Sequence, residues 1–283
     1  MTPARSIITA GVSSQGADHA RSNEREELPV ASPMLLRWFT WYSRNYLRRH
    51  FHSLRVSRAG LPPRDCEMPL VIFANHASWW DPLMWLALKA EFFPAYRSFS
   101  PIDAEALTRY KFLRRLGFFG VEQKTSRGAI QFLRTTEKIL RQPCHILALT
   151  PQGRFADPRQ RPVRFETGLG HIATRVKQAV FVPMASEFVF WEERLPEILV
   201  HFGEAIEIGS ANEKRDAESW TFLFEQRLEA AQDALAAESQ RRDPNEFETI
   251  LRGGAGQGGV YDWYRAARAT LRRETFVREH GVK

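Results

Sequence analysis

His76 and Asp81 stand at the end of a short apolar run, Pro69-Leu-Val-Ile-Phe-Ala-Asn-His76-Ala-Ser-Trp-Trp-Asp81-Pro. A histidine can act as a general base near neutral pH when a carboxylate fixes its tautomer and stabilises the imidazolium that forms. Here the histidine precedes a helix start and the aspartate falls in its first turn, so the two side chains can meet across the turn. A plainer reading fits the same spacing: a histidine packed at a strand end, and an aspartate favouring its helix dipole. Further on, Ile146-Leu-Ala-Leu-Thr-Pro151-Gln152-Gly153-Arg154 repeats the arrangement, an apolar run ending in a polar loop. Gly153 permits close approach of the backbone to a ligand, and Arg154 offers a planar fork for phosphate or carboxylate. The loop that follows adds Arg159, Arg161 and Arg164 against the one acid Asp157. Its plain reading is a solvated connector.

Two strand-like segments that each deliver polar groups at the C-terminal end are how open α/β sheets build active sites. From residue 69 onward the pattern alternates. Strands are expected at 70–74, 96–100, 118–122, 144–149 and 180–185, with a further strand or hairpin over 198–208. Helices are expected at 78–93, capped by Ser78, and at 102–116, 127–140, 168–177 and 212–241. This order predicts an α/β fold, a mostly parallel central sheet flanked by helices. Ahead of it, residues 1–31 read as a disordered leader without periodicity. Ser32-Pro33 then starts an amphipathic N-terminal helix over about 34–56, within a segment spanning 32–60. Residues 243–283 form a C-terminal helical tail in which 247–252 reads as a helix end, 253–259 as a glycine-rich joint and 260–278 as a basic helix.

The chain has 283 residues, 43% of them hydrophobic, enough to bury a full core. Two cysteines, Cys66 and Cys144, are too few for a disulfide framework or a zinc cluster, and a reducing compartment is the simplest reading. Cys144-His145 reads as strand packing. The net charge of +7 suits an anionic partner such as a lipid surface, a phosphorylated substrate or nucleic acid. No run is long and apolar enough for a membrane span, and no metal-ligand spacing, P-loop or nucleic-acid recognition motif is present. Gly254-Ala-Gly-Gln-Gly-Gly259 spells a dinucleotide-type glycine pattern, but no strand-helix-strand unit surrounds it.

Three blocks together resemble the glycerolipid acyltransferase family, of the lysophosphatidic acid acyltransferase type with its histidine-x4-aspartate signature. They are Asn75-His76-Ala-Ser-Trp-Trp-Asp81-Pro82, Leu149-Thr-Pro151-Gln152-Gly153-Arg154 and Phe181-Val-Pro183-Met-Ala185, in order and in register over roughly residues 60–210. The resemblance implies an acyltransferase domain, taken as 61–242, with His76 as general base and Asp81 orienting its ring. It implies no cofactor, only acyl-CoA or acyl carrier protein as cosubstrate and a lipid acceptor. Lys124, Arg127, Gln152, Gly153 and Arg154 would bind substrate, and backbone N–H groups near Gly153 or Ser78 would stabilise the oxyanion. The chain departs from the family pattern at Gln152, where glutamate is usual, at Phe155, near which an arginine is usual, and at Gln123, where arginine is usual. These departures fall on the blocks associated with a glycerol phosphate, and imply another acceptor such as a glycosylated or other non-phosphate lipid.

In that light the aromatic, arginine-rich helix at 34–56 reads as an interfacial helix on anionic lipid, placing the protein peripherally on the cytoplasmic face of a membrane. Trp79, Trp80, Met84, Trp85 and Leu86 read as core, or as the lining of an acyl-chain channel. The alternatives are a noncatalytic lipid-surface protein of the same fold and, on charge alone, a nucleic-acid binder.

Overall fold

The computed structural model describes residues 28–63, 68–209 and 215–255. Most of the expected leader and the whole 260–278 helix lie outside the described residues. Helix α1, Pro33–His50, starts as expected: Ser32 caps it, its side chain accepting from the Leu35 N–H, with proline in the first turn. It stops six residues short of expectation, because residues 53–57 pair into the sheet as β1 (Ser53–Ser57). Strand β2 is Leu70–Ala74, and helix α2 is Asp81–Phe92. Ser78 does not cap α2; its N-cap is Trp80, which has no side-chain cap bond.

Strand β3 covers Arg97–Asp103. The single helix expected over 102–116 divides into α3 (Ala104–Arg109) and a 3-10 turn (Lys111–Leu116) that ends at Gly117, left-handed at φ 98°. Then come β4 (Phe118–Val121), α4 (Ser126–Leu140), β5 (His145–Leu149) and the short α5 (Gly168–Ala173). Strand β6 (Ala179–Val189) runs longer than expected, followed by β7 (Glu197–Phe202), β8 (Ile206–Ile208) and the long α6 (Ala217–Arg241). Residues 247–252, read from sequence as a helix end, form strand β9 (Phe247–Arg252).

Among the described residues one sheet runs β4-β3-β5-β2-β6-β7-β1-β9, with β8 on β6. The block β4-β3-β5-β2-β6 is parallel throughout, as the alternating pattern predicts. The 198–208 region is not a hairpin. Strands β7 and β8 lie end to end along one edge of β6, pairing with 184–189 and 179–181 and not with each other. The remaining strand β1 runs parallel to β7 and antiparallel to β9.

Every residue of β2 is buried, because helices cover both sheet faces. The period-two alternation of a strand divides its side chains between two cores. Leu70, Ile72 and Ala74 pack toward Leu47 and Phe51 from the α1 end and Met84, Trp85 and Leu88 of α2. Val71 and Phe73 pack toward Leu169, Ile172, Trp220, Phe224 and Leu228. On α6 Phe224 is fully buried, with Leu228 and Leu235, while its neighbour Leu223 is only partly so. Each such side chain contributes about 1.5–3 kcal/mol.

Cys144 packs against the core, as read from the sequence, and is also disulfide-bonded, which that reading did not include. The chain's other cysteine, Cys66, lies outside the described residues. His145 is buried, its Nδ1 3.0 Å from the Ile139 carbonyl, and burial pushes its basicity down.

Candidate active site

The C-terminal ends of β2 and β5 lie side by side in the sheet. The loops that leave them, residues 75–80 and 150–167, therefore share one edge. Asn75 anchors the first loop. Its carboxamide exchanges two hydrogen bonds with the backbone of Ser186 on β6, donating at 3.0 Å and accepting at 2.8 Å. With β2 fixed to β6 in this way, His76 leaves the sheet at a set point.

The His76 and Asp81 side chains meet, Nδ1 to Oδ2, at 2.7 Å. A carboxylate only accepts, so Nδ1 carries the proton and Nε2 keeps its lone pair. Asp81 is 8% exposed, and its Oδ2 also accepts from the Ser78 N–H at 3.2 Å, which stiffens the turn. Its Oδ1 has no hydrogen-bond partner among the described residues. Asp81 is the first residue of α2, so its carboxylate stands at the helix N-terminus.

The second loop closes around the His76 backbone. Gln152, buried, accepts from the His76 N–H through Oε1 at 2.9 Å, and the Ala156 N–H donates to the His76 carbonyl at 2.9 Å. Gly153 makes the turn between them at φ 64°, a left-handed conformation suited to glycine. Gln152 is thus occupied in holding the histidine. Phe155, which sequence reading did not place in the site, lies with its ring centroid 4.2 Å from that of His76. No spacing rule reveals such a contact, since it arises from how the loop folds back.

The arginines expected to leave this loop basic are individually paired. Arg159 meets Asp157 at 2.7 Å, Arg161 meets Asp233 at 2.5 Å, and Arg164 meets Glu225 at 3.1 Å. Hydrogen bonds from Arg159 hold the Asp157 carboxyl well below the usual carboxylate range. Arg154 is exposed beside Gly153. Lys124 and Arg127 are not brought to His76. They follow β4, three strand positions from β2, or about 14 Å at ~4.8 Å per strand. Lys124 adopts a left-handed φ of 59°, and Thr125 caps α4 there by accepting from the Gly128 N–H.

The expected oxyanion donors are engaged. The Ser78 N–H is held by Asp81, and the Gly153 N–H donates to the Thr150 carbonyl at 3.2 Å. A cavity of about 310 Å³ lies at the far end of α2, lined by Glu91–Tyr96 and Glu248. His76 itself stands in an open setting, its side chain 24% exposed.

Next to this site runs a ladder of aromatic rings. Trp38 stacks on Tyr42 at 5.8 Å and Tyr42 on Tyr46 at 5.6 Å. Tyr46 meets Trp80 at 5.5 Å, and Trp80 stacks on Trp79 at 4.3 Å. Met34, Trp38, Trp41 and Tyr42 of α1 are exposed, as are Tyr110 and Phe112 beside them. The expectation that Trp79, Trp80, Met84, Trp85 and Leu86 form core holds for the last three, which are buried, while Trp79 is 56% exposed. Among the described residues no helix is long and apolar enough to cross a membrane.

The parallel sheet thus carries a histidine-carboxylate pair at the end of β2, backed by a glycine turn in the loop after β5. Residues 48–187 match the model of the Acyltransferase family, the glycerolipid acyltransferase family, and on that ground the chain carries an acyltransferase domain. The matched region runs from the end of α1 to β6 and includes both loops. No curated protein matches the chain.

Proposed function

We propose that the protein moves a fatty acyl group from an acyl thioester, on coenzyme A or acyl carrier protein, to a hydroxyl of a glycerolipid-like or other lipid acceptor at a membrane surface. The observation that carries this reading is the 2.7 Å contact between His76 Nδ1 and Asp81 Oδ2. His76 Nε2 takes the hydroxyl proton as the acceptor oxygen attacks the thioester carbonyl carbon. The tetrahedral intermediate then breaks its C–S bond, and the imidazolium returns the proton to the departing thiolate. Ester and free thiol result. Asp81 keeps the imidazole in the useful tautomer and offsets its positive charge while it is protonated. The thioester is already activated, so no covalent acyl-enzyme is required. Arg154, with Lys124 and Arg127 at greater distance, bind anionic parts of the donor or acceptor.

The exposed aromatic face of α1, which has no acidic residue in its sequence, supports peripheral attachment to anionic lipid. The cytoplasmic leaflet is the anionic one this helix fits. The Cys144 disulfide favours an oxidising compartment instead. Thiol labelling of Cys144 in intact cells decides between the two: a labelled thiol supports the cytoplasmic placement.

The test is thiol release and ester formation from palmitoyl-CoA with mixed lipid acceptors. His76→Ala and Asp81→Asn each lower turnover by about 10²–10⁴-fold while the protein stays folded at the assay temperature. Liposome binding without turnover in the wild type supports the noncatalytic reading of the fold.

A further inference from the structure

We propose that Phe155 sets which hydroxyl reaches His76, favouring one carried on an uncharged, apolar body and excluding water. This rests on His76 being the base. Phe155 is 58% exposed, yet its ring lies 4.2 Å from the imidazole at an interplanar angle of 35°. Its backbone is tied on both sides. The next residue, Ala156, donates to the His76 carbonyl, and on the other side Gln152 accepts from the His76 N–H. The loop is tied again where the Glu166 N–H donates to the Pro151 carbonyl at 2.8 Å.

An aromatic ring in this position has two effects. It removes one face of the base from water, and it offers an apolar platform to whatever carries the incoming hydroxyl. Trp79, on the same loop as His76, is exposed as well and stacks on Trp80. Charge points the same way. Of the four arginines between 154 and 164, three are paired with Asp157, Asp233 and Glu225, and buried Gln152 is turned to the His76 backbone.

The chemistry makes the proposal measurable, because water and a lipid alcohol compete for the same step. Attack by an alcohol oxygen breaks the C–S bond and gives one ester per thiol. Attack by water breaks the same bond and gives a fatty acid and a thiol, with the proton passing through His76 in both cases. Thiol counts turnover; ester counts transfer.

The experiment uses the full chain with palmitoyl-CoA and vesicles containing either a monoacylglycerol or lysophosphatidic acid as probe acceptor. Wild type is compared with Phe155→Ala, Phe155→Leu, Phe155→Arg and His76→Ala, with melting curves for each. Expected for Phe155→Ala are a thiol-to-ester ratio several-fold above wild type and a KM for monoacylglycerol raised about tenfold or more. Phe155→Leu restores most of both, while Phe155→Arg shifts preference toward lysophosphatidic acid. An unchanged ratio and KM in Phe155→Ala, with His76→Ala inactive, overturns the role of Phe155 and leaves the base standing. Wild-type turnover in His76→Ala overturns the base and Phe155 together.

Discussion

The carboxamide of Asn75 and the backbone of Ser186 form a two-bond bridge between the ends of β2 and β6, at 3.0 and 2.8 Å. Both residues are buried, so neither half of the bridge can be replaced by bulk water. Asn75→Ala leaves an N–H and a carbonyl of Ser186 unpaired and lowers stability by about 1–3 kcal/mol. Urea denaturation measures the loss. Turnover falls as well, since His76 is the next residue. Full stability in Asn75→Ala contradicts the bridge.

Gln152 holds the His76 backbone through an acceptor oxygen, and a carboxylate oxygen can do the same. Gln152→Glu therefore keeps most of its activity. Gln152→Leu removes the acceptor and loses about 1 kcal/mol, or roughly fivefold in kcat. Steady-state kinetics on both variants separate holding the histidine from binding substrate. If Gln152 binds substrate instead, Gln152→Leu raises KM and leaves kcat unchanged.

Burial raises the pKa of the Glu187 carboxyl, against smaller opposing effects from a hydrogen bond with Ser239 and from Arg159 and Arg161. A raised folded-state pKa means the folded protein binds this proton more tightly than the unfolded chain does. The stability it supplies is present below the ordinary glutamate pKa and is lost as pH rises through the folded value. Glu187→Gln is accordingly more stable than wild type at neutral and alkaline pH, with the advantage shrinking in acid. Melting midpoints across pH check the sign.

Trp38 and Trp41 are exposed on α1. Replacing both by serine lowers stability by about 0.5–1.5 kcal/mol, the worth of the Trp38–Tyr42 stack. Binding to anionic vesicles falls at least roughly tenfold, from the loss of about 1.5–3 kcal/mol per ring. Vesicle sedimentation at low and high salt reads this directly, and equal binding by wild type and variant removes α1 as the contact.

The parallel half of the sheet was legible because its strands carry their own signal. The run Leu70–Ala74 is apolar throughout, as a strand covered on both faces must be. The far edge was not. Ser53–Ser57 continues a helical, arginine-rich stretch, and only its partners Glu197–Val200 and Phe247–Arg252 make it a strand. Residues 247–252 contain glutamate, leucine and arginine, all compatible with a helix, and tertiary pairing overrides that preference. Within the site, the contact between His76 and Asp81 followed from a five-residue turn. The clamp by Gln152 and Ala156, the ring of Phe155 and the pairing of the loop arginines all depend on how a long loop folds back. Sequence spacing carries no trace of them.

Only Phe51 and His52 separate α1 from β1, and β1 is held between β7 and β9 inside the sheet. The helix is therefore no loose tether. It is a rigid outrigger, fixed to the same framework that carries the imidazole. On any surface that α1 rests upon, the protein lands in one orientation, with His76 held at a constant height above that surface.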